Sequence, residues 1–410
     1  MHSKDPAIRR TMWFFAIVYA VEGIGQARTG LVAQPLSYWL KQALHWSPVT
    51  ISASLAILDL PWVIKPLWGA ISDFVPLFGY RRRPYLVLAN IGGFLAFAWV
   101  ATLDTTNAMI PALTVTSFAL AISSTLCGAL LVETGQKNNA TSSFVNQQWL
   151  WYNIALMGAV LVGGGLIEIL SPLGALHAAA ALSALAPLAI IGGVGLIQEP
   201  RARVDMEALR ERMRALLSVF RNRDLWFVAG FLFLYYFSPG FGTPLYFQMT
   251  DRLAFSQGFI GELNAIAAGG WIVGGLIYQW RLDRLSRRTL LQLSILGGVL
   301  STLSYLGLGS HSSAVVIWFL GGITSMIAMI ATMSLAAEAS PAGAEGFAFA
   351  AMMSIVNLTG PLSDTTGSAL YEHVFHQHLA PLIVVSAAAT AVVFFLIPLM
   401  LFRKPAPASA

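Results

Sequence analysis

The chain has 410 residues, of which 57% are hydrophobic and only 10% are charged. Because a soluble globular domain carries about 25% charged residues, this composition excludes a water-soluble fold. The formal net charge is +5, and the single cysteine excludes a disulfide bond within the chain. Apolar stretches of about 20 residues, the length that spans a bilayer as a helix, recur throughout and predict an all-α membrane protein.

The apolar stretches form two sets of six. We predict twelve transmembrane helices over residues 12–40, 48–72, 85–104, 108–132, 144–168, 174–197, 224–249, 257–279, 288–308, 313–337, 344–370 and 379–402. They divide the chain into an N-terminal half, 1–198, and a C-terminal half, 224–402, with a tail at 403–410. The charged linker between the halves, 199–223, is predicted to hold an amphipathic helix on the membrane surface or to serve only as a tether.

The distribution of Lys and Arg predicts the orientation in the membrane. Most of the 24 basic residues fall in the termini and in the loops on the same side as the termini. Since cytoplasmic segments are enriched in Lys and Arg, we predict that both termini are cytoplasmic. The N-terminus shows no cleavable signal peptide, so we expect the first helix to remain and the protein to lie in a bacterial inner membrane.

The first two predicted helices carry four charged residues in their interiors. A charge at the centre of a spanning helix costs about 2.5–3.5 kcal/mol on insertion scales, so a functional role is expected. Arg28 and Lys65 are candidates to attract an anionic substrate group. Gln26, four residues after Glu22 and on the same helical face, is a further candidate for substrate contact. Glu22 and Asp59 are candidates to take up a proton. The alternative is a set of structural ion pairs with no ligand.

The fifth helix begins with amide and aromatic side chains. Gln147 and Trp151 lie about one turn apart, and a surface of this kind suits a flat heterocycle that forms hydrogen bonds. The alternative is an aromatic belt at the membrane interface. Both interpretations stay open at the level of sequence.

The seventh and eleventh helices supply the remaining candidates. The seventh is interrupted by Ser-Pro-Gly-Phe-Gly-Thr-Pro at residues 238–244, after Tyr235 and Tyr236. A helix broken at membrane depth is tolerated where protein or a water-filled cavity satisfies its backbone, so we predict that this helix lines a cavity. In the eleventh helix, Asn357 is a candidate for substrate contact and Asp364 for proton uptake.

The loops after the second and the eighth helices repeat one pattern. Each joins a helix end rich in small residues to an acid and then to a basic cluster, as duplicated halves would. The pattern resembles the loop motif of the major facilitator superfamily, in which the acid and the arginines form a cytoplasmic lock. The residues to which this resemblance gives a gating role are Asp73, Arg81, Arg82, Arg83, Glu133, Asp283 and Arg284.

A more particular resemblance starts at Lys65 and runs through Asp73-Phe-Val-Pro-Leu-Phe-Gly-Tyr-Arg-Arg-Arg-Pro-Tyr85. This segment resembles the folate-biopterin transporter family, a branch of the major facilitator superfamily. The stretches 243–261 and 340–358 are similar to the same family. One departure is in the fourth helix, where the family pattern has aspartates before a Val-Glu pair. Here only Val132-Glu133 remains of that pattern.

The resemblance implies a secondary transporter with two pseudo-symmetric halves and a cavity between them, lined by helices 1, 4, 7 and 10. The expected activity is proton-coupled uptake of a folate or pterin-like metabolite by a monomer, with substrate, protons and membrane lipids as partners. No catalytic, nucleotide-binding or metal-binding motif appears, so we expect no enzyme, no cofactor, no metal and no nucleic acid. Two alternatives stay open: a facilitator for an unrelated amphiphile, such as a drug or siderophore, and a non-transporting membrane assembly protein on the same fold.

Overall fold

The computed structural model describes residues 6–137, 141–201, 221–340 and 345–399. Within these ranges the fold is helical, apart from an isolated bridge in one loop, and the all-α prediction is confirmed. The α-helices are α1 (Pro6–Gly25), α2 (Ala33–Gln42), α3 (Pro48–Ile57), α4 (Leu60–Val63), α5 (Lys65–Phe74), α6 (Arg83–Val100), α7 (Thr106–Lys137), α8 (Thr141–Ile169), α9 (Pro172–Gly193), α10 (Arg223–Tyr236), α11 (Gly242–Phe247), α12 (Gln257–Arg281), α13 (Arg287–Ser304), α14 (His311–Ala339), α15 (Glu345–Ala369) and α16 (Leu379–Val392). The amphipathic helix predicted for the linker and the tail at 403–410 fall outside the described residues.

Eight helices in the described part of the chain are long and apolar enough to cross a membrane. They correspond to the predicted third to sixth, eighth to tenth and twelfth helices. The other four predicted spans differ for physical reasons. The first, second and seventh predicted helices are each split into shorter helices. In addition, α1 and α15, which correspond to the first and the eleventh predicted helices, carry more polar residues than the eight long apolar helices. The count of twelve spans stays a prediction.

The splits have identifiable local causes. Pro61 and Pro66 lie in the first turns of α4 and α5, where the missing proline N–H needs no partner. Between α1 and α2, a Cβ atom on Gly30 would meet the carbonyl oxygen of Ile24, so this turn requires glycine. The interruption before α11 was predicted from its Gly and Pro residues. The turn between α1 and α2 was not predicted, because it contains no proline.

The interruption before α11 is held by α15. The backbone N–H of Gly240 donates to the carbonyl oxygen of Ser363 at 2.8 Å. A side chain at Gly367 would overlap the carbonyl of Gly240, so only glycine allows this approach. Backbone groups that a continuous helix would pair internally are therefore satisfied by a neighbouring helix, as lipid requires.

The halves meet along two interfaces, α8 against α12 and α3 to α5 against α15. At the first, a Cβ on Gly164 would lie 2.8 Å from the Gln257 carbonyl oxygen, and a Cβ on Gly261 would lie 2.7 Å from that of Val160. Small residues of this kind let membrane helices approach closely, and packing then supplies the attraction. The α8–α12 crossing is thus a contact between the halves that tolerates no added volume.

Gly164→Val is expected to destabilise the protein by about 1–3 kcal/mol, the usual cost of overpacking. Thermal unfolding of the purified protein in detergent measures this change. Gly165→Val is the matched control, because a Cβ there meets no atom within 4 Å. Equal melting temperatures for the two variants would show that the crossing is not tightly packed.

Candidate functional site

The centre of the candidate site is an ion triad that joins the two halves. Arg28 lies in the turn between α1 and α2, Asp59 in the turn before α4, and Asp364 within α15. The Arg28 Nη1 atom donates to Asp59 Oδ2 at 2.7 Å, and Nη2 donates to Asp364 Oδ2 at 3.0 Å. The three side chains are only 12–21% exposed. We call these three residues the Arg28 triad.

Asp364 also holds the interrupted seventh helix. Its Oδ1 accepts from the Thr243 backbone N–H at 3.1 Å, and its Oδ2 accepts from the Thr243 hydroxyl at 2.8 Å. Thr243 lies in the first turn of α11, where backbone N–H groups have no partner within the helix. A single carboxylate therefore links α11, α15 and the turn that carries Arg28.

A second cluster lies around Lys65, which begins α5. Its Nζ donates to the Ser124 hydroxyl at 3.1 Å and lies 4.4 Å from the centre of the Trp62 ring, a cation–π geometry. The Glu22 carboxyl interacts with Ser124 and with the charge of Lys65. Glu22 Oε2 is shielded from solvent and has no hydrogen-bond partner among the described residues. We call these four residues the Lys65 cluster.

The predicted amides have different environments. Asn357 Nδ2 donates to the Trp62 carbonyl oxygen at 3.0 Å, which connects α15 to the split second helix. Gln26 Oε1 accepts from the Tyr152 hydroxyl at 2.9 Å and from the Thr29 hydroxyl at 2.7 Å. Gln147 Oε1 is buried without a hydrogen-bond partner in the described part of the chain.

The predicted aromatic residues contact residues outside the triad. Trp151 packs on Trp13, with ring centroids 6.2 Å apart. Tyr235 is buried in the C-terminal half against Tyr236, with centroids 5.1 Å apart. The Tyr236 hydroxyl is bonded to the Thr332 hydroxyl at 2.7 Å. Nothing in these contacts brings the three predicted residues together.

Sequence reasoning missed a different aromatic group that spans the halves. Trp149 of α8 lies 6.2 Å from Trp271 of α12 and 5.9 Å from Tyr152 between ring centroids. Because Tyr152 bonds to Gln26, this group extends to the turn that carries Arg28. Helical spacing did not reveal which of the clustered aromatics faces the other half.

Arg82 organises the predicted lock of the N-terminal half. Its side chain is 3% exposed, donates to both Glu133 oxygens at 2.5 and 2.8 Å, and lies 3.6 Å from Asp73. Glu199 accepts from three successive backbone N–H groups, those of residues 81–83, at 2.8, 2.9 and 3.1 Å. Glu199 was missed, and its sequence signal is an acid directly after the sixth helix.

The corresponding region of the C-terminal half is arranged differently. Asp283 and Arg284 are exposed, and in the described residues the ion pair of this region joins Arg287 to Glu338. Glu338 lies near the end of α14 and was missed. The sequence signal for Glu338 is its position near the end of the tenth helix, because Glu133 has the corresponding position in the fourth helix.

At the end of the bundle away from the start of α1, polar contacts connect the two halves. Lys41, only 8% exposed, pairs with Asp251 and the Thr250 hydroxyl. Gln34 Nε2 donates to the Gln257 carbonyl oxygen at 2.7 Å. We call the pairing of Lys41 with Asp251 and Thr250 the Lys41 latch. It was missed because its partners are more than 200 positions away.

Comparison with known proteins identifies the family of the chain. Residues 25–406 match the model of the BT1 family. A folate-biopterin transporter from a Synechocystis strain is 30% identical over 86% of this chain and 73% of its own length. A probable folate-biopterin transporter 2 from Arabidopsis thaliana is 24% identical over 84% of this chain and 73% of its own length.

Solved structures agree on the fold. The chain aligns with a D-xylose-proton symporter at a TM-score of 0.74 and 13% identity, over 95% of this chain and 97% of that one. It aligns with the nucleoside transporter NupG at a TM-score of 0.70 and 15% identity, over 98% and 100%. These likenesses show that the chain shares the fold of these two proteins. With the family match over most of its length, the chain belongs to the BT1 family of folate-biopterin transporters.

Proposed function

We propose that the protein is a proton-coupled secondary transporter of a folate or pterin-like metabolite that works by alternating access. The names of related folate-biopterin and folate transporters support the substrate class. The observation that carries the mechanism is the Arg28 triad, because one guanidinium bonds a carboxylate from each half. In this proposal residues 1–198 and 224–402 move as two bodies, and the chain works as a monomer in a bacterial inner membrane.

Protonation of the triad supplies the coupling. Arg28 and Asp59 belong to the same half, so the bond that joins the halves is the one from Arg28 to Asp364. A hydrogen bond to a charged group contributes about 1.5–3 kcal/mol, so neutralising Asp364 weakens the link between the halves. Asp59 is the second proposed proton acceptor. A change of 1.4 kcal/mol shifts an equilibrium about tenfold. Proton uptake therefore biases the two bodies toward separation at the triad, and proton release closes it again. Glu22 of the Lys65 cluster is the third proposed proton acceptor.

The substrate is proposed to bind between the triad and the Lys65 cluster. The proposed contacts are Arg28, Lys65, Gln26, Gln147, Trp151, Tyr235, Tyr236 and Asn357. Of these, Arg28, Lys65 and Asn357 have the strongest support, because they contact residues at the splits of the second helix. Trp149 and Tyr152 join them as an aromatic surface near Gln26.

The Lys41 latch is proposed to close the extracellular end. Enrichment of basic residues beside the termini supports a cytoplasmic location for that end, which puts the latch outside. With the latch formed, access from outside is blocked. The Arg82 lock and the Arg287–Glu338 pair each join elements of one half, so they leave the halves free to separate at the cytoplasmic end.

Lys41→Met is expected to open the extracellular end more often. Asp251 is about half exposed, so the pair contributes about 1 kcal/mol, which corresponds to about a fivefold change. The measurement is labelling of a cysteine introduced at Gln34 by an impermeant maleimide, in a Cys127→Ser background. Arg252→Met is the control, since Arg252 bonds Gln377 of its own half. Equal labelling rates in both variants would exclude the latch.

A thermal-shift panel on the purified protein tests the substrate class. A ligand that binds only the folded protein stabilises it by about 2.7 kcal/mol at a hundredfold excess over Kd. We expect folate, a reduced folate or biopterin to raise the melting temperature. D-xylose and a nucleoside, substrates named for proteins of the same fold, are expected to leave it unchanged. A shift with these controls alone would exclude the pteridine class.

A further inference from the structure

Resting on the proposed function, we infer that the central site selects a flat pterin without a negatively charged tail and disfavours dianionic folate. The inference concerns the net charge of the site and the occupancy of its cations. It names a narrower substrate class than the relatives' names do. Three observations carry it: an excess of acids, cations that already have partners, and a free acceptor oxygen.

The interior of the bundle carries one acid more than it has bases. Within the described helices and the turns that split them, the charged residues away from the membrane ends are three acids, Glu22, Asp59 and Asp364, and two bases, Arg28 and Lys65. With all five ionised the site is negative by one charge. The other charged residues in the described part of the chain lie in loops or near helix ends, or are exposed. A second or third negative charge on a ligand is repelled by this site.

Both interior cations are already occupied. Arg28 uses its two terminal nitrogens on Asp59 and Asp364. Lys65 contacts the Ser124 hydroxyl and the Trp62 ring. A ligand carboxylate that bound Arg28 would displace a protein carboxylate and leave it unpaired in a shielded environment, which is unfavourable. A ligand carboxylate that bound Lys65 would lie in the field of Glu22, which interacts with the same cation and would repel it.

Glu22 supplies a free hydrogen-bond acceptor in the site. Glu22 Oε2 is shielded from solvent and without a partner in the described residues. A carboxylate oxygen accepts from N–H groups, and the amino-pyrimidinone edge of a pterin presents two of them side by side. The Trp62 ring of the same cluster lies 4.4 Å from Lys65 Nζ, and the Tyr152 and Trp149 rings lie 5.9 Å apart. A flat ring held by an acid and bordered by aromatic side chains matches a pterin without its glutamate.

Equilibrium binding of biopterin and folate to the purified full-length protein at pH 7.5 tests the inference. We expect biopterin to bind at least about tenfold tighter than folate, because folate brings two additional negative charges to a negative site. Asp59→Asn removes one negative charge with little change of shape, and should raise the folate-to-biopterin affinity ratio at least about threefold. Asp364→Asn should raise the same ratio. Because two different variants are measured, a folding defect in one of them does not decide the result.

Glu22→Gln is expected to weaken biopterin binding by about tenfold, since it replaces one acceptor oxygen by a donor. Folate binding as tight as biopterin binding in the unmodified protein would overturn the charge inference and leave the proposed function intact. Unchanged ratios in both aspartate variants would also overturn it. Binding of neither pteridine would overturn the proposed function, and this inference with it.

Discussion

Arg28→Met is expected to reduce substrate uptake by more than about a hundredfold. The change leaves Asp59 and Asp364, two shielded carboxylates from different halves, without their shared partner. Removing one member of a buried ion pair costs about 3–5 kcal/mol, and 1.4 kcal/mol corresponds to a factor of ten. Uptake of a labelled pterin into liposomes that contain the purified protein measures the loss.

Arg28→Lys is the matched variant for this prediction. It keeps the positive charge but replaces a planar fork by a single ammonium group, which does not reproduce the separate hydrogen bonds to Asp59 and Asp364. We expect partial activity, between the unmodified protein and Arg28→Met. Normal uptake by Arg28→Met would show that the triad has no part in transport and would favour a structural or assembly role for the fold.

Asp364→Asn is expected to impair accumulation driven by a proton gradient and to retain the folded structure. Asparagine keeps an oxygen that accepts from the Thr243 backbone N–H, so the seventh helix stays held. The substituted side chain no longer takes up a proton and no longer forms a charged pair with Arg28. We expect accumulation against a gradient to fall by about tenfold or more, since one charge-assisted hydrogen bond is lost.

The control for Asp364→Asn is the same substitution at Asp104. The Asp104 side chain is 74% exposed and lies 3.7 Å from His177, which is not a member of the triad. Accumulation by Asp104→Asn should equal that of the unmodified protein. If Asp364→Asn still accumulates substrate in proportion to the imposed gradient, the proton acceptor is elsewhere, and Asp59 or Glu22 becomes the candidate.

The sequence predicted the class of the fold and the members of the triad, but not their connection. Arg28 and Asp59 were conspicuous because a charge inside a spanning helix is costly, and Asp364 was conspicuous for the same reason. Arg28 and Asp364 are 336 positions apart, so no periodicity in the chain relates them. The excess of negative charge at the site likewise appears only when the two halves are placed side by side.

Interruptions of the helices were predictable where the sequence contains proline or clustered glycine. Pro61, Pro66 and the segment before α11 are such cases, whereas the turn at Arg28 depends on Gly30 and on close backbone packing. Partners across space were the least predictable feature. The bonds from Glu199 to a run of backbone N–H groups and from Lys41 to Asp251 join segments that share no local signal.

Substrate-dependent proton movement tests the central claim most directly. The protein is placed in liposomes with a pH-sensitive dye inside, and biopterin is added outside without an imposed gradient. The account predicts that biopterin acidifies the interior in the unmodified protein and leaves it unchanged in Arg28→Met and Asp364→Asn. Biopterin uptake by the unmodified protein with no change of internal pH would contradict proton coupling through the Arg28 triad.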